Sequence, residues 1–122
     1  MFVLEELEMK YLNYLSVVLL LSVLFMACSE EDPSIRVRND LDKKANVQLK
    51  PSVGSTKNIN DVAGGTTTVF HDVQEGEWTA TASISSESVA PTATFRTEND
   101  MNYTVVIINA EPPSMEILVE DK

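Results

Sequence analysis

From Ser34 onward, apolar residues recur at every second position, the period of a strand with one buried face. Ile35 and Val37 alternate with Arg36 and Arg38, and residues 39–42 (NDLD) read as a turn. Ala45, Val47 and Leu49 alternate with Asn46, Gln48 and Lys50 before Pro51 breaks the pattern. Ile59 and Val62 predict a short or irregular strand ahead of Gly64-Gly65. Residues 66–73 (TTTVFHDV) are rich in β-branched and aromatic side chains and read as a strand, followed by a turn at Glu75-Gly76. The clearest alternation comes next, with Trp78, Ala80, Ala82 and Ile84 on one face and Thr79, Thr81 and Ser83 on the other. Ala93 and Phe95 pattern against Thr92, Thr94 and Arg96. Residues 103–110 (YTVVIINA) are apolar on both faces and predict a central, covered strand. Met115, Ile117 and Val119 alternate with Glu116, Leu118 and Glu120 in a last strand.

About seven short strands at spacings near ten residues predict an all-β domain, a single antiparallel two-sheet sandwich over residues 35–122. No helical stripe interrupts it. Trp78 and Phe95, set among small alanines, suit the packing of two sheets, so Trp78 is assigned to the core rather than to a ligand platform.

The first 27 residues follow a different rule. Residues 15–27 (LSVVLLLSVLFMA) contain no charge and no proline, and Met9-Lys10 stands just upstream. A positive start, an apolar run and the small Ala27 at its end read as a helical signal segment. The run is short for a membrane span, which needs ~20 apolar residues. An uncleaved membrane helix ending at Cys28 is the alternative. Glu5, Glu6 and Glu8 place negative charge where export signals carry positive charge. Translation is therefore expected to start at Met9.

Phe25-Met26-Ala27-Cys28 resembles the lipobox of bacterial lipoproteins. The resemblance implies cleavage between Ala27 and Cys28 and a covalent diacylglycerol and palmitate anchor on the Cys28 thiol. Ala27 and Cys28 match the most constrained positions, whereas Phe25 and Met26 depart from the usual residues while staying apolar. Burial of acyl chains is worth ~0.8 kcal/mol per methylene, and several chains anchor stably. Cys28 is the chain's one cysteine, so no internal disulfide can form. Ser29-Glu30-Glu31-Asp32 resembles the acidic export tag of surface lipoproteins in Bacteroides-type bacteria. Clustered acids before Pro33 also read as a hydrated, flexible tether over residues 28–34. The expected address is the outer membrane, reached through the lipid and exposed at the cell surface, with a periplasmic face as the alternative. Val73-Gln74-Glu75-Gly76-Glu77-Trp78 is similar to a hairpin of immunoglobulin-like and prealbumin-like domains, and Ile35-Arg36-Val37-Arg38-Asn39 to the opening of small secreted β-sandwich domains. These likenesses imply a fold and carry no function.

Charge narrows the partners. The chain carries 9 Lys+Arg and 19 Asp+Glu, net −10. Removing residues 1–27 removes Lys10, Glu5, Glu6 and Glu8, leaving 8 − 16 = −8. Such a domain repels phosphate backbones and anionic lipid, so no nucleic-acid partner is expected.

The search for chemistry finds weak candidates. His71 adjoins Asp72, but strand neighbours point to opposite faces, so the pair reads as structural. Asp40, Asp42 and Asn39 could hold calcium loosely, yet they lack the glycine and distal glutamate of a calcium loop. Ser83, Ser85, Ser86 and Ser88 are loop composition rather than a nucleophile elbow. Gly64-Gly65 reads as a turn, and the bacterial source that the lipobox resemblance implies makes the sequon at Asn102-Tyr103-Thr104 a chance match. The expectation is a non-enzymatic module with no cofactor beyond the lipid, binding an unidentified protein or glycan. The alternative is a structural subunit of an envelope or fimbrial assembly that pairs through an edge strand.

Overall fold

The computed structural model describes residues 30–122, of which Glu31–Lys122 form a compact unit. Within it the strands are β1 (Ser34–Asn39), β2 (Ala45–Pro51), β3 (Lys57–Val62), β4 (Thr66–Thr67), β5 (His71–Asp72), β6 (Gly76–Ile84), β7 (Thr92–Thr97), β8 (Met101–Ile108) and β9 (Ser114–Asp121). They form two sheets. One runs β4–β1–β8–β9, with β5 beside β4 on the same flank of β1; the other runs β3–β2–β6–β7. The all-β two-sheet fold read from the alternation is the observed one. Seven strands have six to nine residues, and β4 and β5 have two each.

The alternation predicted for each long strand sets its buried face. Ala45, Val47 and Leu49 of β2 and Trp78, Ala80, Ala82 and Ile84 of β6 point into one core. Ile35 and Val37 of β1 and Tyr103, Val105 and Ile107 of β8 meet them from the other sheet. The alanines of β6 lie opposite Val47 and Leu49 across the β2 ladder, so small and large side chains share a row. As its two apolar faces require, β8 is central, between β1 and β9. Its outward Thr104 and Val106 are buried too. Arg36 covers part of that outer face: its Nε–H donates to Thr104 Oγ1 at 3.0 Å, and its guanidinium lies 4.5 Å from the Phe70 ring centroid.

Three features depart from the sequence reading. First, β1 and β8 pair in parallel, while every other pairing is antiparallel. The two strands enter their sheet side by side. Just before them, the Asp100 N–H donates to the Glu31 carbonyl, and the Glu31 N–H donates to Asp100 Oδ1, both at 2.9 Å. Second, residues 66–73 do not make one strand. Thr68 keeps one backbone bond, its N–H to the Val37 carbonyl at 2.9 Å, but its hydroxyl accepts the Val37 N–H at 3.0 Å, and of this stretch only β4 and β5 pair with β1 as strands. β-branched composition favours extended backbone but does not guarantee a continuous ladder.

Third, residues 31–34, read as tether, belong to the sandwich. Pro33 is fully buried, its carbonyl accepts the Val73 N–H at 2.9 Å, and Ser34 opens β1 while donating to Asp72 Oδ1 at 2.8 Å. Residues 1–29, with the signal segment and the start of the tether, lie outside the described residues.

The far end of the sandwich closes on Gly64. A Cβ there would stand 2.6 Å from the Leu41 carbonyl oxygen and 2.9 Å from the Lys43 nitrogen, both backbone atoms. Gly64→Ala is expected to lower stability by about 1–3 kcal/mol through overpacking. Gly65→Ala meets open space and carries only the strain of its φ of +73°, about 1–2 kcal/mol. Urea denaturation of the two variants separates these causes; a Gly64→Ala protein as stable as wild type would show that this turn does not press on residues 41–43.

Candidate functional site

Of the residues implicated in anchoring, Ala27, Cys28 and Ser29 lie outside the described residues. Glu30 and Asp32 are exposed. Glu31 is bound into the domain by its backbone pair with Asp100, and its carboxylate stands 3.6 Å from Lys122 Nζ. Lys122 also donates to Ser34 Oγ at 3.1 Å. Lys122 thus clamps Glu31 and Ser34, at the end of the sandwich where β1 and β8 begin and β9 finishes.

The weak chemical candidates have structural employment. Asp72 accepts from the Ser34 hydroxyl and its carbonyl accepts from Lys57 Nζ at 3.1 Å, whereas His71 sits opposite Ile35. Asp40 is paired with Arg38 through two contacts of 3.1 and 3.2 Å. Asn39 spends its amide on the Lys43 and Val62 carbonyls, and its oxygen on the Leu41 N–H. Asn39 and Asp40 thus spend their side chains on the fold. Asn102 lies in the β8 ladder between Ser34 and Glu120. Among the described residues, no group of three or more His, Cys, Asp or Glu side chains could hold a metal ion. Trp78 is core, as expected, with its indole N–H donated to the Gln74 carbonyl at 3.1 Å. A polar cleft runs beside it, bordered by Ser55, Lys57, Asp72 and Gln74. Its groups are largely taken up by the fold: Lys57 reaches Asp72 and Gln74 donates to the Val53 carbonyl.

No family model matches the chain, and no curated protein matches it either.

The two flanks of the sandwich differ, and this contrast marks the most distinctive surface. Where β3 faces β4 and β5, the flank is sealed: Ile59, Val62 and Val73 are each no more than 8 % exposed. Where β7 faces β9, it is open. Phe95 of β7 and Met115 and Ile117 of β9 pack on the core but remain partly exposed, and Val119 is 55 % exposed. Phe95 reaches across to Tyr103 with ring centroids 5.8 Å apart, and Tyr103 pairs with Val119, so these residues line one continuous apolar seam.

The four sheet edges also differ in how they are protected. The β3 edge is bulged, with a register shift opposite Ala45 and Val47, a φ of 57° at Asp61, and Lys57 at its start. The β4/β5 edge is two fragments. The β7 edge is six residues, preceded by Pro91 and carrying Arg96. The β9 edge is eight residues, SMEILVED, with no proline, lysine or bulge. The sequence displays this alternation but not its consequence, because periodicity marks a buried face and does not say which strand ends a sheet.

Proposed function

We propose that this chain is a lipid-anchored envelope protein. In this reading residues 1–27 are removed as a signal, Cys28 carries the lipid, and the sandwich is a non-catalytic interaction module at the outer membrane, on the cell surface. The observation that carries the reading is the position of the chain's one cysteine, at the end of the apolar run and three residues before the compact unit that starts at Glu31. Covalent geometry keeps the Glu31 Cα within about 11 Å of the Cys28 Cα. An acylated Cys28 therefore holds the sandwich by the end where β1 and β8 begin. The loops at the other end and the β7/β9 flank are left for a partner. The lysine-free β9 edge favours a second reading that is compatible with the first, a subunit that assembles through strand pairing.

The test is expression of wild type and Cys28→Ala in an envelope-bearing host with labelled palmitate, followed by protease shaving of intact cells. Label in wild type only, with loss of the domain on shaving, is the expected result. Label without shaving or antibody access moves the domain to the periplasmic face. Absence of label in both proteins overturns the anchor, and residues 11–28 become a candidate membrane helix.

A further inference from the structure

We propose that β9 accepts an added strand from a partner protein, an extended segment with one apolar face and lysine or arginine on the other. The inference deepens the interaction-module reading and rests on it.

The backbone sets the geometry. β9 pairs with β8 along its whole length, from Met101 opposite Asp121 to Ile108 opposite Ser114, and ends the sheet on its other side. A sixth strand in that sheet, beside β9, continues the ladder and meets no bulge. Such an edge is a ready template for main-chain hydrogen bonds.

The side chains set the chemistry. Val119, Ile117 and Met115 share the face of Tyr103, Val105 and Ile107, which is the core face. A strand added beside β9 places every second residue over the seam that they form with Phe95, and apolar residues at those positions bury it. The intervening residues stand beside Glu116, Leu118 and Glu120 on the outer face. Glu116 and Glu120 are the charged side chains of that row, Glu120 sharing its carboxylate with Arg36, and the net charge of −8 over residues 28–122 attracts the same class of partner at longer range. Arg36 stands 3.5 Å from Glu120 but lies on β1, beyond β8, and Lys122 is engaged with Glu31 and Ser34. Basic residues at alternate positions of the incoming strand therefore match the outer row.

The same charges argue against a second copy of this chain. Antiparallel pairing of two β9 strands centred on Leu118 sets Glu116 opposite Glu120 twice, and like charges directly opposite are destabilising. Centring on Ile117 avoids that opposition but brings two net-acidic domains edge to edge.

The experiment uses the full chain purified in detergent and a short peptide of alternating valine and lysine. A peptide of the same composition with the valines and lysines in separate blocks is the control. Wild type is expected to bind the alternating peptide with an affinity that falls as salt rises, and to gain amide-exchange protection along β9. Val119→Lys, which puts a cation at an exposed seam position, and Glu116→Lys are each expected to weaken binding about tenfold. Val69→Lys, at an exposed apolar residue outside the seam, is expected to leave it unchanged. Far-UV spectra confirm that each variant is folded. No binding, equal binding of the block peptide, or binding unaffected by both β9 variants overturns the proposal. So does a wild-type dimer that Val119→Lys dissociates, because the occupant is then a second copy. Palmitate labelling does not depend on β9, so failure of this proposal and failure of the anchor are read separately.

Discussion

Trp78→Ala is expected to lower unfolding free energy by about 3–5 kcal/mol, the usual cost of removing a buried indole from a core. Trp78 is 4 % exposed, pairs with Phe95 and Pro51 on its neighbouring strands, and belongs to the central cluster. Domains of this size are stable by about 5–15 kcal/mol, so the loss is a large fraction of the whole. Urea unfolding followed by circular dichroism measures it. Trp78→Phe is the informative companion. It keeps most of the apolar volume and removes only the indole N–H from the Gln74 carbonyl, which still accepts the Thr97 hydroxyl at 2.8 Å. Its expected cost is smaller than that of Trp78→Ala, about 1–2 kcal/mol. Should Trp78→Ala remain as stable as wild type, the tryptophan is not a core residue and a platform role returns.

Asn39→Ala is expected to cost about 2–4 kcal/mol for a different reason. Asn39 is fully buried at the end of β1, and its side chain joins three parts of the chain. The amide donates to the Lys43 carbonyl at 2.7 Å and the Val62 carbonyl at 3.0 Å; the oxygen accepts the Leu41 N–H at 3.0 Å. Alanine leaves these backbone groups with lost partners, and each buried unsatisfied group costs about 1–3 kcal/mol. The urea midpoint should fall with little change in slope, because the same surface is exposed on unfolding. Asn39→Asp should be no better than alanine, since a carboxylate cannot donate to either carbonyl. A variant of wild-type stability would mean that water replaces the side chain and that this end of the sandwich is open.

The fold was legible from the chain to the extent that burial follows a period of two. β2 and β6 bury the residues that their alternation marks, and β8 is central because it is apolar on both faces. The parallel pairing of β1 with β8 was not legible, because it comes from where the two strands enter the sheet and not from their own side chains. Residues 66–73 misled because β-branched and aromatic composition resembles a strand even where the Thr68 hydroxyl takes the Val37 N–H and interrupts the ladder. Residues 31–34 misled because acids and a proline read as solvated chain, while Pro33 is in fact buried and Glu31 is held by Asp100.

The candidate surface was half legible. The alternation of β9 was plain, and an open edge with few lysines was a recognisable mark of assembly. What the sequence could not place was Phe95 opposite Val119's flank, because β7 and β9 belong to different sheets and become neighbours only through the fold. Asn39 was noticed as a loose calcium candidate and turns out to be a hydrogen-bonding hub. Its partners lie up to 23 residues away, a separation that no local pattern reports.

The most direct test of the central claim is the intact mass of the mature protein extracted from an envelope-bearing host, together with the mass of its first proteolytic fragment. The account predicts a chain that begins at Cys28 and carries added diacylglycerol on that residue, with no species retaining residues 9–27. A mature chain that begins elsewhere, or Cys28 recovered as an unmodified thiol, contradicts it.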